Sequence, residues 1–221
     1  MQNPFYGKIL FDLDGTLIDS LPGISYSFHK ALAEVYKNPP ELDIKPFIGP
    51  HIRDIFQVAL NRHIAPSELC ALENAYRQSY DLEGCLLSTV YQGVPETLNK
   101  LRLDGIECYI VTNKPTAPTN IILEEKNLRQ YFNKVVCRDS VEPHFSSKSD
   151  AVRFLVSEFP HSPGRMLFVG DSRDDAIAAQ ENGLYFAAAD YGYGRVTQLL
   201  PQNTHIKLPN FPALLNPPTT N

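Results

Sequence analysis

Basic tracts, long apolar runs and paired cysteines are all missing from this sequence of 221 residues. No stretch approaches the ~18 consecutive apolar residues that a membrane-spanning helix needs, so nothing reads as a span. Lys and Arg number 20 against 25 Asp and Glu, a formal net charge of −5. Without a basic tract, that balance argues against a nucleic acid polymer or an anionic membrane surface as partner. An anionic small ligand must then be held by a few local positive groups or a metal. The four cysteines, Cys70, Cys85, Cys108 and Cys137, lie far apart and form no Cys-x-x-Cys pair. A disulfide framework or structural zinc site is therefore not expected, and a reducing compartment is the simpler reading. The first residues show no charged segment followed by an apolar one, so a cytoplasmic protein is expected; a monomer or weak dimer is the default expectation. Hydrophobic residues at 43% and charged residues at 20% exclude wholesale disorder. Neither an internal repeat nor a low-complexity tract is present, and the length suits one full domain plus a smaller one.

The first apolar run, Ile9-Leu10-Phe11, is stopped by Asp12-Leu13-Asp14-Gly15. It reads as a short buried strand whose carboxylates emerge at its C-terminal end, the edge at which open α/β sheets bind ligands. From about Ser20 to Leu87 the apolar period becomes helical. Pro22 opens one helix carrying Ile24, Phe28, Ala31, Leu32 and Val35. A second carries Ile52, Ile55, Phe56, Ala59 and Leu60, and a third starts at Pro66 with Leu69, Leu72, Tyr76 and Tyr80. Alternation then returns: a helix between Pro95 and Gly105, a strand over 106–111, a helix over 119–126 and a strand over 135–137. A helix from Lys148, a strand over 166–169, an alanine-rich helix up to Gly183 and a strand over 185–188 follow. Strands alternating with helices predict a parallel sheet covered on both faces. Residues 209–221, with Pro209, Pro212, Pro217 and Pro218, read as a tail with little structure.

Polar residues of one chemical kind gather where these strands end. They are Asp12 and Asp14, Thr112 and Asn113, Lys148 at a helix start, and Asp171 with Asp175. The C-termini of parallel strands share one edge, so these groups can converge from distant parts of the chain. Converging carboxylates repel unless a cation separates them, and oxygen ligands without His or Cys favour a hard divalent ion, Mg²⁺ above all. A lysine and a hydroxyl at the same edge suit an anionic group that the metal also contacts. A carboxylate nucleophile, charge neutralisation and a second carboxylate for proton transfer are the equipment of phosphoryl chemistry.

Asp12-Leu13-Asp14-Gly15-Thr16 after an apolar strand is similar to the first signature of the haloacid dehalogenase-like hydrolases. Thr112-Asn113 resembles their second motif, Lys148 their third, and Gly170-Asp171-Ser172-Arg173-Asp174-Asp175 their fourth, over about residues 7–200. The resemblance implies a three-layer, Rossmann-like α/β sandwich with a parallel sheet and an inserted α-helical cap. Its expected boundaries are 1–18 and 88–208 for the core, 19–87 for the cap and 209–221 for the tail, the cap closing over the phosphate site. The insert resembles the cap of the subgroup containing phosphoglycolate phosphatases, some 5′-nucleotidases and β-phosphoglucomutases. Phe47-Ile48-Gly49-Pro50 and Gly192-Tyr193-Gly194 lean toward the phosphatases.

By position, the resemblance makes Asp12 the nucleophile and Asp14 the acid and then the base. Mg²⁺ would be held by the Asp12 side chain, the Asp14 backbone carbonyl and Asp171. Thr112 and Lys148 would bind the phosphoryl oxygens, with Gly15 and Asn113 also among the phosphate-binding residues and backbone N–H groups near Asp14 and Asn113 assisting. Asp175 would orient Lys148 or a metal-bound water from outside the ligand set. In the insert, Arg53 is a candidate for a substrate carboxylate, and no chemistry is attached to Tyr191 and Tyr193. The expected activity is hydrolysis of a small phosphorylated metabolite, phosphoglycolate leading, through an aspartyl-phosphate. A 5′-nucleotidase and a sugar-phosphate phosphomutase are the alternatives, and a non-catalytic binding protein is the last. The stretch Gly49-Pro50-His51-Ile52-Arg53 lacks the mutase Gly-x-Ser-Arg loop.

Overall fold

The computed structural model describes residues 7–159, 166–194 and 204–216. In chain order come β1 (Lys8–Phe11), β2 (Ile18–Asp19), α1 (Leu21–Val35), α2 (Ile52–Ala59), α3 (Pro66–Leu82) and β3 (Thr89–Val90). These are followed by α4 (Val94–Leu103), β4 (Glu107–Thr112), α5 (Thr116–Glu125), β5 (Lys134–Cys137) and α6 (Lys148–Val156). The last are β6 (Met166–Gly170), α7 (Arg173–Glu181), β7 (Tyr185–Ala189) and β8 (Thr204–Leu208). The chain divides into two compact units, Met1–Asp19 with Val90–Asn221, and Ser20–Thr89. No helix among the described residues is long and apolar enough to cross a membrane.

The first unit is built on a sheet in the order β5-β4-β1-β6-β7-β8, with every pairing parallel. β1 lies between β4 and β6, Leu10 standing opposite both Tyr109 and Phe168. Ile9, Leu10 and Phe11 are wholly buried, which explains why this strand carries no polar alternation. Leu10 joins a core with Val152 and Leu155 of α6 and Ala176 and Ala179 of α7. Its neighbours Ile9 and Phe11 point to the opposite face, where the Phe11 ring meets Phe132 at 6.2 Å and Phe211 at 5.6 Å. Helices α4 and α5 pack against β4 and β5. The unit is therefore a three-layer α/β sandwich with a parallel sheet.

Two elements depart from expectation. β8 extends the sheet beyond β7, pairing Ala187 with Ile206 and Ala189 with Leu208. The reading of 209–221 as a tail is corrected at its start, because Phe211–Leu215 forms a 3₁₀ turn with Phe211 and Leu214 buried. Asn210 caps that turn through the Ala213 N–H at 3.1 Å, and a spacing of three puts both apolar side chains on one face. Residues 217–221 lie outside the described residues.

The second unit is helical. Prolines at the first turns of α1 and α3 start both helices where no backbone N–H is required. Phe28 stacks on Phe56 at 4.6 Å, Phe56 meets Tyr76 edge-on, and Tyr76 stacks on Tyr80 at 5.3 Å. α1 approaches the turn at Gly84–Leu87 so closely that a Cβ on Gly23 would lie 1.9 Å from the Gly84 carbonyl oxygen.

Candidate active site

The site is assembled at the C-terminal ends of β1, β4 and β6 and the first turn of α6. The Asp12 amide donates to the Val169 carbonyl at 2.9 Å. This continues the β1–β6 ladder one residue past the strand and fixes Asp12 at the sheet edge. The chain then turns, with Leu17 and Ile18 amides both donating to the Leu13 carbonyl. Gly15 sits in that turn at φ +80°, and a Cβ there would stand 2.2 Å from Asp171 Oδ2. Glycine is thus required for conformation and for clearance. Its N–H is engaged by the Ile18 carbonyl at 2.8 Å. The sequence places Gly15 among the phosphate-binding residues; in this turn its N–H already has a partner in the Ile18 carbonyl.

β6 delivers Asp171. Ser172 caps α7 in a reciprocal box, its hydroxyl receiving the Asp175 N–H at 3.3 Å while Asp175 Oδ2 receives the Ser172 amide at 2.9 Å and hydroxyl at 2.6 Å. That box leaves Asp175 Oδ1 aimed at Lys148, whose ammonium donates to it at 2.6 Å and to Asp12 Oδ1 at 2.7 Å. The Lys148 side chain is only 5% exposed, held in place by Ser147, which caps α6. A loop after β7 completes the arrangement. The amides of Tyr193 and Gly194 donate to Asp171 Oδ2 at 2.7 and 3.1 Å. A Cβ on Gly194 would stand 1.9 Å from the Asp171 carbonyl oxygen. Tyr193 also donates its hydroxyl to Asp19 at 2.6 Å, and Tyr191 donates to the Thr16 carbonyl at 2.8 Å. The two tyrosines given no chemistry in the sequence therefore brace the turn and the loop around Asp171.

Carboxylate oxygens of Asp12, Asp171 and Asp175 all lie within 4.8 Å of one another. Burial raises Asp12 well above the ordinary carboxylate value; Lys148 opposes it, while Asp175 and Asp171 push further up. Asp171 is pushed up to about 7 by burial and then by Asp175. Burial alone would lower the Lys148 ammonium, but Asp12 and Asp175 together raise it above its usual range. Buried carboxyl groups gathered at one point, in an all-oxygen donor set, fit a hard divalent cation. Asp175 has both oxygens engaged by Lys148 and Ser172, which suits it to orienting rather than ligation. The bonds from Lys148 and from the Tyr193 and Gly194 amides fall on Asp12 Oδ1 and Asp171 Oδ2.

At the end of β4, Thr112 is buried and its hydroxyl oxygen accepts the Lys114 amide at 3.2 Å. Asn113 is half-buried beside it. Lys114, to which the sequence attached no role, donates to both oxygens of Asp14 at 2.9 Å. The signal was present as a lysine directly after Thr112-Asn113, but its partner lies 100 positions away. Arg53 is the candidate that the sequence offers for a substrate carboxylate. It belongs to the helical unit, its side chain 46% exposed and 3.8 Å from Glu73, which Arg77 also pairs at 2.7 Å.

Residues 9–189 match the haloacid dehalogenase-like hydrolase family. The chain is similar to "Phosphoglycolate phosphatase 1" of Pseudomonas aeruginosa, 30% identical over 94% of this chain and 78% of that protein. A phosphoglycolate phosphatase of Haemophilus influenzae is 29% identical over 97% of this chain and 99% of its own length. Among solved structures, one described as a predicted phosphoglycolate phosphatase from Haemophilus somnus superposes with a TM-score of 0.83 at 27% identity. It covers 96% of this chain and 97% of that one. With a family match across most of its length and the four motifs at its strand ends and helix starts, the chain belongs to the haloacid dehalogenase-like hydrolases.

Proposed function

We propose that this chain is a Mg²⁺-dependent phosphatase that hydrolyses a small phosphomonoester of the phosphoglycolate kind through a phosphoryl group carried on Asp12. The observation carrying this reading is the buried group of Asp12, Asp171 and Asp175 with Lys148 donating into it. The relatives' names support the substrate class. The Asp12 and Asp171 side chains and the Asp14 carbonyl would hold Mg²⁺, which would supply charge neutralisation that lets a carboxylate approach a phosphate dianion.

Asp12 forms the new bond to phosphorus as the ester P–O bond breaks, and Asp14 gives its proton to the departing oxygen. Water then attacks the same phosphorus while Asp14 takes its proton. The Asp12–phosphorus bond breaks, releasing inorganic phosphate and restoring both carboxyl groups. Lys148 and the Thr112 hydroxyl hold the equatorial oxygens, with the backbone around Asp14 and Asn113 assisting. Asp175 keeps Lys148 aimed at Asp12.

Asp12→Asn tests the assignment, with 2-phosphoglycolate and p-nitrophenyl phosphate assayed in Mg²⁺ and the fold followed by circular dichroism. Turnover should vanish with the spectrum unchanged. A variant keeping more than about a tenth of the activity rejects Asp12 as nucleophile.

A further inference from the structure

Helix α7 grips the first turn of α6 at two places. At its start, Asp175 takes the Lys148 ammonium at 2.6 Å. At its end, Glu181 and Asn182 take Ser149, the residue next to that lysine. The Ser149 hydroxyl donates to Glu181 Oε2 and accepts from Asn182 Nδ2 at 3.2 Å. The same Asn182 nitrogen donates to the Ser149 carbonyl at 3.1 Å and to the Ala178 carbonyl at 2.8 Å. Two carbonyl acceptors fix which end of the Asn182 amide faces α6, since only its NH₂ can donate.

The phosphoryl steps use the first grip, through Asp175, and give the second no task. A lysine head sits on a flexible four-carbon stem, so a fixed ammonium requires a fixed backbone at its root. That root lies in the first turn of a helix, where backbone N–H groups lack intrahelical partners. Ser147 supplies one from the chain before it, accepting the Asp150 amide at 3.1 Å. Ser149, 5% exposed, ties the same turn sideways to α7. Asp175 and Asn182 belong to the start and the end cap of one helix, Arg173–Glu181. The head and the root of Lys148 are therefore both referred to a single rigid element, while the ammonium keeps its 2.7 Å bond to Asp12.

We propose that Ser149 and Asn182 are positioning residues for Lys148, holding the backbone from which it reaches Asp12 and the phosphoryl oxygens. This rests on the phosphatase reading, in which the ammonium neutralises charge that grows on the equatorial oxygens as phosphorus is transferred. A root free to shift lets the head follow the phosphoryl group imperfectly, and a small misplacement of a charged donor is felt most in the transition state.

Ser149→Ala is the direct test, because it removes the hydroxyl bonds and leaves the Asn182 bond to Ala178 that caps α7. The full chain is assayed in Mg²⁺ with p-nitrophenyl phosphate and 2-phosphoglycolate, and Tm is followed by circular dichroism. The kcat of Ser149→Ala should fall about threefold or more, with KM changed less. Asn182→Ala, which also loses the carbonyl contact, should fall at least as far, and Ser149→Thr, which keeps the hydroxyl, should recover most of the rate. If Ser149→Ala does not fold, Ser149→Cys replaces it, keeping the shape with a weaker donor. A Tm lowered with kcat unchanged would show that these bonds serve only helix packing and overturns the proposal; so does a loss confined to KM. Hydrolysis by the unaltered chain at a rate that Ser149→Ala matches sinks this inference alone. No hydrolysis of either ester by the unaltered chain sinks the phosphatase reading itself.

Discussion

Asp171 is governed by opposed influences: burial and the Asp175 carboxylate push it up to about 7, while the Gly194 and Tyr193 amides and Lys148 pull against them. Its ordinary value is 3.8, so the folded chain without metal keeps a proton that the unfolded chain has already lost. That contribution to stability is fully present below the unfolded value and disappears as pH rises through about 7. A divalent cation competes for the same carboxylate, so binding should tighten over this window. The Mg²⁺ concentration giving half of the metal-induced rise in Tm should be several-fold higher at about pH 6 than at about pH 8. Equal concentrations would contradict the assignment, and Asp171→Asn should remove the rise altogether. Gly15→Ala, with its Cβ 2.2 Å from Asp171 Oδ2 and φ of +80°, should lower both Tm and the response to Mg²⁺. Asp12 and Asp171 were legible in the sequence because strand ends in a parallel sheet share an edge. The part played by Lys114 was not, because lysine after a strand is usually solvated and nothing local names its partner. The Tyr193 and Gly194 donors were equally hidden, since backbone N–H groups carry no residue signature.

Among elements, α7 carries the most direct link between local folding and chemistry. Its capping box fixes Asp175, and Asp175 fixes Lys148. Ser172→Ala should cost about 1 kcal/mol as a lost cap. It should also reduce kcat more than it alters KM, because Lys148 is left less well aimed; denaturant titration and steady-state kinetics read the two effects separately. A kcat unchanged by the substitution would show that the box serves only the helix. In the helical unit, Gly23→Ala places a Cβ 1.9 Å from the Gly84 oxygen and should lower the denaturation midpoint by forcing α1 from the Gly84–Leu87 turn. α1 and α3 were readable because proline marks their first turns and aromatic residues recur at helical spacing. β8 was not: Ile206 and Leu208 are buried with exposed Lys207 between them. One short edge strand offers too little alternation to stand out from a proline-containing segment. The turn at Phe211 was missed for a related reason, since proline excludes long helices but starts short ones.

At the scale of the molecule, a sheet built from distant segments brings a lysine and several acids, far apart in an acidic sequence, into one buried cluster. Lys148 and Asp12 are separated by 136 positions and Lys148 and Asp175 by 27, yet one ammonium binds both. A buried ammonium is thereby placed among the acids without any basic tract. Removing divalent metal with a chelator should abolish turnover and leave circular dichroism unchanged, because the sheet core is packed from apolar side chains; Mg²⁺ should restore activity. Loss of the folded spectrum on chelation would assign the metal a structural role instead. The central claim is that phosphorus passes through Asp12. It is tested most directly by mixing enzyme with 2-phosphoglycolate and Mg²⁺, quenching in acid within one turnover, and locating added phosphoryl mass by peptide mass spectrometry. The account predicts one phosphoryl group on the peptide containing Asp12, absent from Asp12→Asn. A phosphoryl group on any other residue, or rapid phosphate release with none on the protein, would contradict it.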